Sequence, residues 1–185
     1  MKRTSLAIVG LFVTGCGMDT GADFQSASSA LTGEIGPVSE EVGKSYAYCS
    51  EDNVGVTAAR CVGKYCDDMY LTCSRTPAGF TTSAAGADFV PYFSDETPAR
   101  YCSPDGTPVN INGIVEGIHA SGKYSDNIWI HCAPILSGHL TNCTWSGWFS
   151  EEEGSESFGG RFAVGAQCQG SFCDWMRYYI CDLTS

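Results

Sequence analysis

One phrase occurs three times in this chain, as Cys61-Val-Gly-Lys-Tyr-Cys-Asp67, Ala120-Ser-Gly-Lys-Tyr-Ser-Asp126 and Cys168-Gln-Gly-Ser-Phe-Cys-Asp174. Each copy is followed by an alternating run that ends in a cysteine, and each is preceded by a Ser-acid-Glu marker, at Ser39, Ser94 and Ser150. The markers are 55 and 56 positions apart. A nearly constant period predicts three copies of one supersecondary unit, over about 37–73, 92–132 and 143–181.

The phrase predicts an antiparallel hairpin. A glycine at the first central position suits a type II′ turn, so we centre the first turn on Gly63-Lys64 and expect Cys61 to face Cys66. Period-two alternation in the flanking runs predicts antiparallel sheet and an all-β fold class. An extra residue before the last cysteine of the third copy predicts a β-bulge there. The register places Asp67, Asp126 and Asp174 opposite Arg60, His119 and Gln167.

The cysteines predict a disulfide framework. The middle copy has Ala120 and Ser125 in the two phrase positions where the other copies have cysteine, as expected if those two cysteines are bonded and are lost together. Pairing the rest within repeats uses ten of the eleven cysteines and fits an oxidising compartment. Zinc is the inferior alternative because the spacings form no recognised ligand set, so we predict no metal and no cofactor. The predicted pairs are Cys61–Cys66, Cys168–Cys173, Cys49–Cys73, Cys102–Cys132 and Cys143–Cys181.

The N-terminus predicts export. Met1-Lys2-Arg3 precedes a short apolar run, and Val13-Thr-Gly-Cys16 resembles a bacterial lipobox. The resemblance implies a signal peptide over 1–15 and a lipid, such as palmitate, on Cys16 of an outer-membrane lipoprotein; an ordinary signal peptide is the alternative. Small polar residues over 16–36 predict a flexible tether, which leaves one domain over 37–185.

The charge excludes one class of partner. The net charge is −11 and would become −13 when Lys2 and Arg3 leave with the signal. Because the sequence has no basic patch, nucleic-acid binding is not expected. The expected partners are the membrane, through the lipid, and a glycan or another envelope component.

The repeats resemble those of three-fold β-prism proteins, in particular vitelline membrane outer layer protein I and the jacalin-like lectins. Trp145-Ser-Gly-Trp148 and Asn127-Ile-Trp-Ile-His-Cys132 are similar to the repeat starts and ends of the former. Jacalin-like lectins carry a Gly-x-x-x-Asp signature in a sugar-binding loop, and this chain has it three times. The resemblance implies a β-prism that binds sugar at its hairpin tips, although the glycine-rich N-terminal segment of that family is not matched. A β-trefoil is the structural alternative.

Each tip could bind a sugar through a carboxylate beside an aromatic ring. We expect the third tip to bind most strongly, because its Asp faces Gln167 and its neighbour is a tryptophan. The alternative is that each Asp satisfies local backbone groups or pairs across the strands. The candidates are Gly63, Tyr65 and Asp67; Gly122, Tyr124 and Asp126; and Gly170, Phe172, Asp174 and Trp175.

No catalytic constellation stands out in the sequence. It contains no Gly-x-Ser-x-Gly elbow, and nothing singles out a pair of carboxylates for glycoside cleavage. We therefore predict a non-enzymatic, carbohydrate-binding module of the cell envelope. The alternatives are a structural or partner-binding surface protein and an envelope hydrolase.

Overall fold

A computed structural model describes residues 33–39 and 46–185, and over these ranges the chain is all-β, as the alternation predicts. The predicted signal peptide and Cys16 lie outside the described residues. The strands are β1 (Gly33–Val38), β2 (Tyr46–Tyr48), β3 (Val54–Val62), β4 (Asp68–Arg75), β5 (Thr81–Thr82), β6 (Asp88–Phe89), β7 (Arg100–Tyr101), β8 (Gly113–Ser121), β9 (Asn127–Ser137), β10 (His139–Trp145), β11 (Ser155–Ser157), β12 (Phe162–Gln169) and β13 (Trp175–Thr184).

The strands form three antiparallel sheets, each built on one of the repeated hairpins. The first sheet has the order β1-β4-β3-β11. The second has the order β2-β8-β9-β5, and β6 also pairs with β9. The third has the order β10-β13-β12-β7. Strand β1 begins at Gly33, four residues before the predicted domain boundary, because residues 33–35 of the predicted tether pair with β4.

The same β-bulge occurs in all three hairpins. In the first hairpin Val56 pairs with Cys73 and Ala58 pairs with Thr72, so Thr57 is the extra residue. The corresponding extra residues are Glu116 in β8 and Val164 in β12. The bulge expected only near the end of the third copy is therefore wrong in its position, since it lies in the first strand of every hairpin.

Three short strands link the sheets in a ring. Strand β2 pairs with β8, β7 pairs with β12, and β11 pairs with β3. We call these contacts the first, second and third joints. Each short strand thus lies on the next hairpin in cyclic order, and the third joint connects the third repeat with the first.

The core lies between the sheets. The apolar residue before each Ser-acid-Glu marker pairs with the first buried residue of the returning strand: Val38 with Met69, Phe93 with Ile128, and Phe149 with Met176. All six side chains are buried in one cluster. The marker serines are also buried, and the hydroxyls of Ser94 and Ser150 each accept a hydrogen bond from the backbone N–H two residues later. The marker is therefore a serine-stabilised turn at the edge of the core.

All ten cysteines of the domain are paired as predicted. Cys49 follows β2 and bonds to Cys73, so this disulfide links the first joint to the first sheet. Cys102 follows β7 and bonds to Cys132 of β9, so this disulfide links the second joint to the second sheet. At the third joint the equivalent position is Phe158. Its backbone N–H donates a hydrogen bond to the carbonyl of Thr57, just as the N–H of Cys49 donates one to the carbonyl of Glu116.

The third repeat shows why its last cysteine is displaced by one residue. By register, Ile180 is the equivalent of Cys73, because it pairs with Ala163 as Cys73 pairs with Val56. Cys181 therefore belongs to a second buried cluster, where Cys143 of β10 reaches it. In place of the inward-facing disulfide of the other two joints, the third joint has two buried apolar residues of the main cluster, Phe158 and Ile180.

Candidate functional site

The three hairpin tips do not have the predicted two-residue turn. Val62 pairs with Asp68 and Cys61 with Met69, so five residues connect the strands. Tyr65 and Cys66 occupy the left-handed region inside this connection, as the corresponding residues of the other tips do. The Cys61–Cys66 disulfide forms as predicted, but it joins the end of a strand to the connection, because Cys61 lies opposite Met69 and not opposite Cys66.

The predicted partners of the aspartates are wrong for the same reason. Arg60, His119 and Gln167 lie opposite Tyr70, Trp129 and Arg177. The guanidinium of Arg60 lies 3.9 Å from the centre of the Tyr70 ring and 2.7 Å from a carboxylate oxygen of Glu34. The charged hydrogen bonds from Arg60 hold the pKa of Glu34 below its usual range.

The longer connection brings the tips together. The rings of Tyr65, Tyr124 and Phe172 form a triangle with centroid distances of 5.1–5.3 Å, in edge-to-face and tilted arrangements. Such contacts stabilise aromatic pairs by about 0.5–1.5 kcal/mol beyond their burial. Lys64 and Lys123 lie over the triangle, 4.7 and 5.0 Å from the nearest ring centres. The candidate rings therefore pack against each other and are half-buried.

The Gly-x-x-x-Asp signature has a local structural reason. Gly63 has a φ of 77°, and a Cβ atom on it would collide with the carboxylate of Asp67, which folds back over the glycine. Gly122 with Asp126 and Gly170 with Asp174 repeat this arrangement. Glycine is required both for the positive φ and for the close approach of the carboxylate. The signature therefore fits the conformation of the turn, in which the Asp and the Gly of each copy lie in close contact.

Asp174 differs from its two equivalents. One oxygen of its carboxylate is buried and has no hydrogen-bond partner among the described residues. Burial, and then the negative charge of Glu151, raises the pKa of Asp174. Because neighbouring carboxylates surround it, the third tip repels an additional negative charge.

Contacts between tips explain the serine of the middle copy. The sulfur of Cys66 lies 3.2 Å from the carbonyl oxygen of Asp174, and that of Cys173 lies 3.5 Å from the carbonyl oxygen of Asp126. Ser125 completes the cycle, since its hydroxyl donates a hydrogen bond to the carbonyl of Asp67. Position 125 thus keeps a polar contact between tips without a disulfide.

Trp175 starts β13 beside Gly170 and is half-buried.

The outer face of the second sheet carries an aromatic surface that the sequence argument missed. Across β2, β8 and β9, Tyr46 pairs with His119, and His119 pairs with Trp129. The rings of His119 and Trp129 are stacked at 4.8 Å, and Tyr92 lies 5.4 Å beyond Trp129. We define the aromatic face as Tyr46, Tyr48, Tyr92, His119, Trp129 and His131.

Three tyrosines of this face are open to solvent. Tyr46, Tyr48 and Tyr92 are 52%, 44% and 45% exposed, respectively. Tyr46 and Tyr48 flank the half-buried Ala47 in a strand that lies outside the repeated phrase, and this Tyr-x-Tyr alternation is the signal that could have identified them. The sequence could not show that β2 pairs with the second hairpin, which places Tyr46 opposite His119 and the ring of Tyr48 near His131.

The outer face of the third sheet uses its aromatic residues differently. The guanidinium of Arg177 lies 4.3 Å from the ring centres of both Trp145 and Trp148. It also donates two hydrogen bonds to the side-chain oxygen of Gln167. Because the guanidinium of Arg177 already makes cation–π contacts with both tryptophans, these two rings are less available to an external ligand.

A buried carboxyl group contacts an imidazole beneath the aromatic face. Glu116, the bulge residue of β8, is 1% exposed, and its Oε1 is 2.9 Å from Nδ1 of His131. Its Oε2 has no hydrogen-bond partner among the described residues. Burial raises the pKa of Glu116, and the neighbouring imidazole opposes that shift. The ring of Tyr48 covers this pair, 5.8 Å from His131.

Within residues 33–39 and 46–185, no group of three or more His, Cys, Asp or Glu side chains is placed to hold a metal ion. The same part of the chain contains no helix that is long and apolar enough to cross a bilayer. Comparison with protein-family models, curated proteins and solved structures finds no match to this chain.

Proposed function

We propose that this chain is a non-catalytic, carbohydrate-binding module of the cell envelope, and that the aromatic face of its second sheet is the binding surface. The observation that carries the proposal is the row of rings from Tyr46 through His119 and Trp129 to Tyr92. Two strand spacings of about 4.8 Å separate Tyr46 from Trp129, and Tyr92 lies 5.4 Å farther, so the row spans roughly 15 Å. That length suits a short stretch of polysaccharide laid across the strands.

The chemistry of the rings favours a sugar over a protein partner. A pyranose has an apolar C–H face and a rim of hydroxyls, and tyrosine, tryptophan and histidine each combine a flat ring with a polar edge. The most exposed aliphatic residues, Val109 and Leu136, lie outside the aromatic face. A protein-binding patch would be expected to include such residues at its centre.

The tips contribute less to this proposal than the sequence suggests. Their rings pack against each other, so the ring faces are partly covered, and their aspartates fold back over glycines. We propose that the tips hold the three hairpins in place while the outer face binds.

The cyclic joints, the repeated bulges and the meeting of the three tips also support a three-fold β-prism as the finer architecture.

We further propose that a lipid on Cys16 anchors the domain to the outer membrane. The lipobox-like sequence supports the anchor, and the five disulfides are consistent with an exported domain. A Cys16→Ser variant should leave the membrane fraction of cells. Retention of this variant in that fraction would contradict the anchor.

Depletion of the protein from solution by insoluble polysaccharides tests the binding proposal. The full chain, in a detergent without a sugar headgroup, is mixed with chitin, cellulose or peptidoglycan, and the unbound protein is measured. We expect depletion by at least one of them and its loss in the Tyr46→Ala, Tyr48→Ala double variant. A Val109→Ala variant is the control, since Val109 is exposed elsewhere. Equal depletion by both variants would overturn the assignment of the surface.

A further inference from the structure

A cleft on the first sheet is a second place where this molecule can hold a ligand. It has a volume of about 470 Å³, within the usual range of small-molecule sites. Its walls include the hydroxyl side chains of Thr57, Thr72, Ser74 and Ser157. Phe162 and Arg75 also line it.

The cleft exists because of one residue on a joint. Ser157 pairs with Ala58 at the third joint, as Tyr48 pairs with Gly117 at the first and Tyr101 with Gly165 at the second. The tyrosines pack on their sheets, with ring distances of 5.8 Å from Tyr48 to His131 and 5.4 Å from Tyr101 to Tyr179. The side chain of Ser157 is too small to cover the same area of the first sheet, so this part of the sheet surface stays open.

The bulge residue beneath the cleft, Thr57, is polar and half-buried, unlike its two equivalents. The hydroxyl of Thr57 lies 2.7 Å from that of Ser74, and it also approaches the carbonyl of Thr72 at 3.5 Å. The equivalent bulge residues Glu116 and Val164 are fully buried under their tyrosine-covered sheets. The third joint therefore has no tyrosine ring over the sheet, and the hydroxyl groups of Thr57 and Ser74 lie at the base of the cleft.

Among the described residues that line the cleft, Arg75 carries the one formal charge, and none has a carboxylate, although the chain has a net charge of −11. Arg75 is held from outside the cleft by Glu51, at 3.3 Å, and is more than half exposed. A guanidinium is suited to bind a carboxylate or phosphate through two parallel hydrogen bonds.

We propose that this cleft binds one acidic sugar unit, with the hydroxyl side chains on the sugar hydroxyls and Arg75 on its carboxylate or phosphate. The ligand displaces Glu51 from Arg75 when it binds. This site lies on a different sheet from the aromatic face, and it takes a small soluble ligand. The two proposals can therefore fail independently.

Isothermal titration of the full chain with glucuronic acid, glucose 6-phosphate and glucose tests the ligand class. We expect one or both anionic sugars to bind at least tenfold more tightly than glucose, and the preferred one identifies the anionic group. Acetate and inorganic phosphate, which lack the sugar, should bind at least tenfold more weakly than the corresponding sugar. Equal binding of glucose, or equal binding of the simple anions, would overturn the proposal.

Three variants locate the site. Ser157→Tyr, which copies the other two joints, should abolish binding, and Arg75→Gln should weaken it at least tenfold. Glu51→Gln should strengthen it several-fold, because it removes the competing carboxylate. Arg60→Gln is the matched control, since Arg60 is also paired with a glutamate but does not line the cleft. Binding by the Ser157→Tyr variant, or a weaker Glu51→Gln variant, would contradict the assignment.

Discussion

The first and third joints have the same backbone pairing and different chemistry. At the first joint Tyr48 faces outward over a buried Glu116, and Cys49 faces inward to form a disulfide. The third joint has Ser157, Thr57 and Phe158 in these three positions. The backbone register fixes where a residue points, and the outward-facing side chain and the bulge residue beneath it then distinguish the aromatic surface from the cleft.

The comparison also separates two ways of holding neighbouring repeats together. A disulfide constrains the unfolded chain, whereas a buried ring is stabilised by removal of its surface from water. The third joint relies on the second mechanism, because Phe158 packs against Tyr178 at 5.4 Å. The two joints should therefore respond differently to mutation and to reduction.

Phe158→Ala should have the largest effect on stability. Truncation of a buried phenylalanine leaves a cavity and typically costs about 3–5 kcal/mol. Denaturant unfolding followed by tryptophan fluorescence measures the loss. Leu136→Ala, at a 67% exposed position, is the control and should change stability by less than about 0.5 kcal/mol. A loss below about 1 kcal/mol for Phe158→Ala would show that the third joint does not depend on this ring.

Removal of the disulfide at the first joint should come next. Cys49→Ala with Cys73→Ala should lower the free energy of unfolding by about 2–4 kcal/mol. The tip disulfide Cys61–Cys66 spans a sequence separation of 5 instead of 24, so its removal should cost less under the same conditions. An equal loss for the two double variants would contradict a chain-entropy origin.

Glu116→Gln should change how the stability depends on pH. Because burial raises the folded-state pKa above the ordinary 4.5, the protonated form is favoured by folding, and stability is lost as the pH rises through the folded value. Asp52 adds to the shift, and His131 opposes it. Above that value the amide should unfold with a free energy about 1–3 kcal/mol higher than wild type. Parallel stability–pH curves for the two proteins would contradict this role.

Ser157→Tyr should have the smallest effect on stability. The equivalent positions already hold tyrosine on the same backbone, so the change in the free energy of unfolding should stay within about 0.5 kcal/mol. Thermal unfolding of the variant measures it. A loss of more than about 1 kcal/mol would show that the joints are less equivalent than their register indicates.

The sequence predicted the elements that repeat. The three phrases, the paired loss of cysteine at 120 and 125 and the alternation predicted the hairpins, the all-β class and all five disulfides. The turn was wrong because nothing local shows that Tyr65 must reach the rings of two other tips. Long-range packing selected a five-residue connection over the tight turn that glycine alone favours.

The candidate surface depended on contacts that no local pattern contains. Tyr46 meets His119 only because the short strand of one repeat lies on the hairpin of the next. The cleft likewise depends on the pairing of Ser157 with Ala58, residues about a hundred positions apart. Register between distant strands, and not residue type, determines both surfaces.

Two half-buried tryptophans allow the most direct test of the account. Trp129 belongs to the aromatic face, and Trp175 lies beside the third tip. The apparent Kd for the bound polysaccharide is measured for Trp129→Ala and Trp175→Ala, with the disulfides and the fold checked by mass and circular dichroism. We predict that Trp129→Ala weakens binding about fivefold or more, which corresponds to about 1 kcal/mol for one ring, and that Trp175→Ala binds as wild type does. The reverse result, with binding lost at Trp175 and kept at Trp129, would return the site to the hairpin tips and contradict the central claim.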